Sequence, residues 1–149
     1  SAFFTIVNAD RKARAVRIAA DNLNLTLEDM SRRIKTGNTY NCGGGVAGTN
    51  DCPTGSTLFS FTEQGEGGAR TTYTLSNGSI FRNETQVTSP EITITGLNFV
   101  VSGSAPLSSG GNTGQPMVVV AIDGSLGEGI KGSAFKIQTT ITQREYDNQ

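Results

Sequence analysis

The sequence contains no histidine. This absence excludes serine–histidine and cysteine–histidine nucleophile pairs, and it removes the zinc-ligand sets that depend on imidazole. The 13 acidic residues are scattered outside any recognisable catalytic frame. The glycine-rich stretches 43–45 and 65–68 lack the lysine and the helix context of a phosphate loop. We therefore expect neither an enzyme nor a bound cofactor.

Long apolar runs and an excess of one charge are missing too. No stretch is long enough to cross a bilayer, and no signal peptide is visible at the start of the chain. The 12 basic and 13 acidic residues give a net charge of −1, so the composition does not point to nucleic acid. A local cluster of basic residues could bind DNA phosphates, which leaves nucleic-acid binding as a minor alternative. The cluster lacks the interleaved aromatic residues on which bases stack. The cluster consists of Arg11, Lys12, Arg14 and Arg17.

Cysteine is scarce: the chain has only Cys42 and Cys52, with nine residues between them in a glycine-rich segment. Two free thiols in a reducing compartment are the alternative. We expect a disulfide, because exposed thiols close in sequence are a liability and the segment has too little apolar content to order itself. Closing so short a loop stabilises a fold by roughly 2–3 kcal/mol. A disulfide predicts a periplasmic or extracellular location.

The first 36 residues carry ten apolar side chains that step by alternating fours and threes. This spacing places them on one stripe of a helix. No proline or glycine occurs before Gly37, which can take the left-handed conformation that closes a helix. The pattern predicts a helix roughly 50 Å long that ends near Thr36. The stripe consists of Ala2, Ile6, Ala9, Ala13, Val16, Ala20, Leu23, Leu27, Met30 and Ile34.

The predicted helix is apolar on more than one side. A stripe of this kind is usually the face that packs on the domain's own sheet, and we expect this of the large side chains in its C-terminal half. These helix-on-sheet core residues are Leu23, Leu27, Met30 and Ile34. Apolar residues also occur on the back of the helix, which indicates that its N-terminal half contacts other subunits. The predicted contact residues are Phe3, Phe4, Val7, Arg11, Arg14, Ile18 and Leu25.

Beyond residue 56 the pattern changes to short alternating segments typical of strands. Phe59 and Phe61 share one face of the segment 57–62, and Asn77-Gly78 predicts a two-residue hairpin turn. The continuous apolar run 117–122 indicates a central strand that is buried on both faces. The predicted strands cover 57–62, 70–75, 79–82, 91–95, 97–101, 115–122 and 134–143.

These elements predict one α+β domain over residues 1–149. A long N-terminal α-helix (1–36) packs on an antiparallel β-sheet of about six to seven strands (57–149). A disulfide-closed loop (37–56) connects them. This loop and a second glycine-rich loop over 103–114 are the expected partner-facing surface.

The stretch Asp123-Gly-Ser-Leu-Gly-Glu128 could supply oxygen ligands to calcium. A calcium loop needs more regularly spaced oxygens than this stretch provides. We expect a solvated turn there instead.

Two segments of the chain resemble type IV pilin-like proteins. The segment from Arg11 to Gly37 resembles the helix-to-loop passage of minor pilins and minor pseudopilins, and the segment from Phe135 to Arg144 resembles their closing strand. In that family, the apolar first half of a long helix anchors in the inner membrane and later forms the filament core. The amphipathic second half packs on an antiparallel sheet. The family's cleavage motif does not occur here, so the resemblance implies a soluble ectodomain whose hydrophobic segment lies before Ser1.

The resemblance implies a structural subunit of a bacterial type IV pilus-like or type II secretion pseudopilus filament. Its partners would be other pilin or pseudopilin subunits. It would be anchored in the inner membrane before assembly, and would then lie in a periplasmic or cell-surface filament.

Two alternatives remain. One is an extracellular adhesion or binding module with a coiled-coil stalk, in which the stripe pairs with identical helices, although before Leu23 that seam is mostly alanine. The other is a DNA-capturing minor pilin, which requires the cluster between Arg11 and Arg17 to be exposed.

Overall fold

A computed structural model describes residues 2–43, 49–63, 69–104, 115–126 and 134–143. In the N-terminal helix, side chains are described at Arg14 and from Arg17 onward. The elements in chain order are α1 (Ala2–Thr36), β1 (Asn38–Cys42), β2 (Cys52–Ser56), β3 (Phe59–Thr62), β4 (Arg70–Ser76), β5 (Ser79–Arg82), β6 (Thr85–Gln86), β7 (Ile92–Ser102), β8 (Met117–Leu126) and β9 (Ala134–Thr142).

The described strands form two antiparallel sheets, with the orders β1-β3-β4-β5-β6 and β2-β7-β8-β9. The prediction of a long helix packed on one sheet of six to seven strands is therefore wrong. The described part of the chain is mostly β, with nine strands, and about 20 residues of α1 have described side chains. The division into two sheets depends on pairs that are far apart in the chain, such as Cys52 with Val101, which local alternation does not encode.

The segment 38–56, predicted as a loop, contains β1 and β2, so that prediction is also wrong. β1 pairs with β3 in the first sheet, and β2 pairs with β7 in the second. The predicted disulfide is confirmed: Cys42 and Cys52 are bonded, with their Cα atoms 5.5 Å apart. Because each cysteine belongs to a different sheet, the disulfide links the two sheets.

α1 ends at Thr36, and the N–H of Gly37 donates to the carbonyl of Ile34 at 3.1 Å. Gly37 does not have a positive φ, so the expected left-handed cap is wrong. Glycine is required here because atoms of neighbouring residues occupy the space that a side chain would need. A Cβ at Gly37 would lie 2.5 Å from a ring carbon of Phe61 and 2.8 Å from the carbonyl oxygen of Thr62.

The core lies between the sheets. Phe59 of β3 stacks on Phe99 of β7 with ring centroids 5.2 Å apart, which joins the first sheet to the second. Phe59 and Phe61 are both fully buried and lie on one face, as predicted. Tyr73 of β4 stacks on Phe61 and extends the aromatic layer.

α1 covers this core with the apolar side of its C-terminal half. Leu23, Met30 and Ile34 are buried, and Leu27 is partly buried against the same cluster. The helix also contacts β8 and β9 of the second sheet. These four residues are the ones predicted for the helix-on-sheet core, and the structure places them against two sheets.

The second sheet is built from long strands. The strands predicted over 91–95 and 97–101 are one strand, β7, which continues through a register shift between Ile94 and Gly96. β8 is an inner strand, as predicted, but only alternate side chains from Val118 to Ile122 are fully buried. The expected burial on both faces is wrong, because one face of this sheet is covered by the core and the other is partly exposed.

The predicted hairpin at Asn77-Gly78 is confirmed. Both residues have positive φ, 50° and 76°, and Ser76 pairs with Ser79 across the turn. These are the angles that a tight hairpin turn of the primed type requires.

Candidate functional site

The side of α1 that faces away from the core carries two large apolar residues. The side chains of Ile18 and Leu25 are 67% and 65% exposed, and they lie seven residues apart on the same side of the helix. Arg14, Asp21 and Arg32 are exposed on this side as well. We call these five residues the outer helix face. Ile18 and Leu25 are the large apolar side chains that the described part of α1 exposes, so this side is the candidate contact surface.

The seven predicted contact residues divide into two groups. Arg14, Ile18 and Leu25 lie on the outer helix face. The side chains of the other four, Phe3, Phe4, Val7 and Arg11, lie outside the described part of the chain. Within the described residues, no helix combines the length and the apolar character needed to span a membrane.

A carboxylate clamp beside the outer helix face fixes α1 to the first sheet. Asp29 accepts hydrogen bonds from Arg33 at 2.8 Å, from Arg32 at 2.7 Å and from Arg82 of β5 at 3.0 Å. Arg33 also pairs with Glu63, which follows β3. Partial burial alone would raise the pKa of Asp29, but the hydrogen bond from Arg33 and the three positive charges lower it below its usual value. The clamp therefore holds a charged carboxylate and sets the orientation of the outer helix face.

A notch of about 310 Å³ opens next to Leu25, between α1 and the β5–β6 hairpin. Its walls include Tyr73 and Arg82. The Tyr73 hydroxyl is buried without a hydrogen-bond partner in the described part of the chain, and burial raises the pKa of Tyr73 to about 12. Polar groups of Tyr73 and Arg82 therefore lie close to the exposed apolar side chain of Leu25. No sequence motif predicts it, because its walls come from segments far apart in the chain.

The two glycine-rich loops that are expected to face partners have ends that lie next to each other and are joined by hydrogen bonds. Asp51, next to Cys52, accepts hydrogen bonds from the backbone N–H groups of Ser104 at 2.9 Å and Gly103 at 3.3 Å. The sulfur atoms of both cysteines lie within 3.4 Å of the carbonyl oxygen of Phe99. Residues 44–48 and 105–114, the central parts of the loops, lie outside the described residues.

The stretch considered for calcium is only partly a turn. Residues 123–126 belong to β8, where Asp123 is paired with Lys136 of β9, so the expected solvated turn is wrong for these residues. Residues 127 and 128 lie outside the described part. Among the described residues, no group of three or more acidic, thiol or imidazole side chains could hold a metal ion.

Comparisons with protein-family models, with curated proteins and with solved structures find no match to this chain.

Proposed function

We propose that this protein is a structural subunit of a bacterial type IV pilus-like or type II secretion pseudopilus filament, and that it assembles through its N-terminal helix. The outer helix face is the observation that carries the proposal. Ile18 and Leu25 are about two thirds exposed, on the side of α1 that faces away from the core. A helix that served only its own domain would be polar at both positions.

The direction of α1 in the domain supports this role. Asn22 accepts a hydrogen bond from the backbone of Ser89, near the start of β7, whereas Gly37 accepts one from Gln143, just after β9. The start of β7 and the end of β9 lie at opposite ends of the second sheet, because Ile92 pairs with Leu126 and Ser102 with Met117. The described part of α1 therefore runs with its N-terminal end toward the start of β7, at the end of the second sheet opposite Ser102. In the proposed filament, this direction points the helix away from the anchored ends of both glycine-rich loops.

The coiled-coil stalk is less compatible with this arrangement. That alternative uses the whole apolar stripe for pairing between copies, but Leu23, Met30 and Ile34 of the stripe are buried in the domain itself. A stalk also leaves Ile18 and Leu25 facing water. Sedimentation of the purified chain separates the two proposals: a stable trimer at micromolar concentration contradicts the filament proposal and favours the stalk.

A DNA-capturing role depends on the basic cluster of α1. Arg14 and Arg17 are exposed, and the side chains of Arg11 and Lys12 lie outside the described part. With a net charge of −1, the chain has no general excess of positive charge. Retention on a duplex-DNA column above roughly 200 mM salt would favour this role, because phosphate contacts weaken steeply with salt.

The direct test of the proposal uses the producing cells. Filaments sheared from the cell surface, or the periplasmic pseudopilus fraction, are probed with an antibody against the domain. We expect the native protein in that fraction, and we expect Ile18→Glu and Leu25→Glu to be lost from it. Asn24→Glu is the matched control, since Asn24 is exposed on the same helix but outside the outer helix face.

Thermal unfolding of the purified variants completes the test. All three substitutions replace exposed residues, so their melting temperatures should stay near that of the native chain. If Ile18→Glu and Leu25→Glu enter the filament fraction as well as Asn24→Glu does, the outer helix face is not the assembly surface. If the native protein is absent from every filament fraction, the filament role itself is wrong.

A further inference from the structure

The notch beside Leu25 has walls from α1, β4, β5 and β6, and two of its side-chain acceptors are already engaged. Both carboxylate oxygens of Asp29 accept hydrogen bonds from arginines of the clamp. The side-chain oxygen of Asn22 accepts one from the backbone N–H of Ser89 at 3.1 Å. These oxygens serve the domain itself, so the groups left for a ligand are mainly donors.

Several donors in the same walls lack a partner. Tyr73 is 1% exposed, and its hydroxyl makes no hydrogen bond within the described part of the chain. The side-chain nitrogen of Asn22 makes none there either, since this amide bonds through its oxygen. Arg82, directly opposite Tyr73 in the pairing of β4 with β5, uses Nη1 for Asp29, and its other nitrogens supply further donors. A buried hydroxyl without a partner is costly, so an acceptor at this wall would be stabilised.

The charges around the notch favour an anion. The clamp that borders it has three arginines and two carboxylates, which leaves one positive charge in excess; these residues are Asp29, Arg32, Arg33, Glu63 and Arg82. A carboxylate is both an acceptor and an anion, and its hydrogen bonds to arginine are charge-assisted. The volume of about 310 Å³ is at the lower end for small-molecule sites, so it suits a single side chain.

We propose that the notch receives an aspartate or glutamate side chain of the subunit that packs on the outer helix face. This occupant rests on the proposed function. Leu25 belongs both to the outer helix face and to the wall of the notch, so a partner that covers Leu25 also covers the notch. The incoming carboxylate accepts hydrogen bonds from Arg82, Tyr73 and Asn22. The notch therefore adds specificity to the apolar contact, because a partner without the acid would cover these donors and leave them unpaired.

Asn22→Asp is the variant that tests the site. Aspartate keeps the oxygen that accepts from Ser89, but it replaces the donor nitrogen by a second oxygen and adds a negative charge that repels the incoming carboxylate. Asn24→Asp is the matched control, because it makes the same change at an exposed position of the same helix that does not line the notch. Tyr73→Phe removes only the unpartnered hydroxyl.

The first measurement needs no filament. The purified, ¹⁵N-labelled chain is titrated with sodium acetate, and sodium chloride at the same ionic strength is the reference. We expect acetate alone to shift the Nε–H signal of Arg82 in a saturable way. Asn22→Asp and Tyr73→Phe should weaken the apparent affinity for acetate severalfold, whereas Asn24→Asp should leave it unchanged. The proposal is overturned if acetate gives no saturable shift, or if Asn22→Asp binds acetate as the native chain does; the filament proposal is untouched by either result.

The second measurement identifies the source of the carboxylate. Asn22→Asp should be depleted severalfold from the filament fraction relative to Asn24→Asp. Its melting temperature should stay near that of the native chain, because the bond to Ser89 is kept. If the two variants enter filaments equally, the carboxylate does not come from a neighbouring subunit, and the proposal is wrong while the filament role stands. If the native protein is absent from every filament fraction, the proposed function fails, and the neighbouring subunit is excluded as the source.

Discussion

Replacing Gly37 by alanine tests how α1 is joined to the sheets. A Cβ at this position would lie 2.5 Å from a ring carbon of Phe61 and 2.8 Å from the carbonyl oxygen of Thr62. The second contact is with backbone, so a side-chain rotation cannot relieve it. Overpacking of this kind costs about 1–3 kcal/mol, partly offset by about 0.4–1 kcal/mol because alanine restricts the unfolded chain.

The expected result is a lower melting temperature. For a chain of this size, each kcal/mol shifts the melting temperature by about 2–4 °C, so Gly37→Ala should lower it by several degrees. Gly96→Ala is the matched control. The nearest atom to a Cβ at Gly96 is the carboxylate oxygen of Asp123 at 3.3 Å, the end of a side chain that can move away. Its effect should be within about 1 kcal/mol.

Gly37→Asn distinguishes close approach from backbone conformation. Asparagine tolerates the left-handed region better than alanine, so a left-handed cap would make Gly37→Asn the milder change. The structure predicts the reverse order, because asparagine adds more atoms against Phe61. Urea unfolding of the three variants measures this order. If Gly37→Ala is as stable as the native chain, or if asparagine is the better tolerated residue, the close-approach explanation is refuted.

Three further predictions concern the clamp, the disulfide and the buried tyrosines. Asp29→Asn should lower the free energy of unfolding by about 1 kcal/mol or less at neutral pH. Because the folded-state pKa of Asp29 is below its usual value of 3.8, its contribution is present above that pH and is lost as the pH falls through the folded pKa. The variant should consequently lose less stability on acidification than the native chain, which urea unfolding at pH 7 and pH 3 would show. Replacing Cys42 and Cys52 together by serine should cost about 2–3 kcal/mol in urea unfolding, and reduction of the native chain should cost the same; no difference would mean that the loop closure does not stabilise the fold. Tyr73→Phe should be neutral or slightly stabilising, because it removes a buried hydroxyl that has no hydrogen-bond partner among the described residues, whereas Tyr40→Phe should cost about 1 kcal/mol, because its hydroxyl donates to the last turn of α1. Equal effects of the two tyrosine substitutions in thermal unfolding would contradict this difference.

Local pattern was a reliable guide where the structure depends on neighbouring residues. The turn at Asn77-Gly78, the shared face of Phe59 and Phe61, and the Cys42–Cys52 disulfide all involve residues close in sequence. In each case the residue types nearly determine the geometry, through positive φ, alternation or short loop closure.

The failures involve pairing over long distances. β1 and β2 contain asparagine, glycine and proline, which have low strand propensity, and they become strands because β3 and β7 supply their hydrogen-bond partners. The sequence predicts separate strands over 91–95 and 97–101, but in the structure Gly96 lies at a register shift inside the single strand β7. The sequence does not predict that the strands divide into two sheets. An alternating pattern shows that one face of a strand is buried, but it does not show which residues cover that face.

The candidate site, like the fold, was predictable where it depends on local spacing and not where it depends on long-range pairing. The seven-residue spacing of Ile18 and Leu25 was enough to place them together on the back of the helix. The notch beside Leu25 was not predictable, because Tyr73 and Arg82 reach α1 only after β4 and β5 pair. The sequence gives no sign that the Tyr73 hydroxyl is buried without a hydrogen-bond partner among the described residues.

The anchoring of the two glycine-rich loops has a consequence for how the chain can change in evolution. The disulfide, the pairing of Cys52 with Val101 and the hydrogen bonds to Asp51 fix the ends of both loops independently of the residues between them. Lengthening a loop whose ends are already held costs only about 0.6 kcal/mol for each doubling. Insertions and deletions within 44–48 and 105–114 should therefore be tolerated while the sheets and α1 stay unchanged.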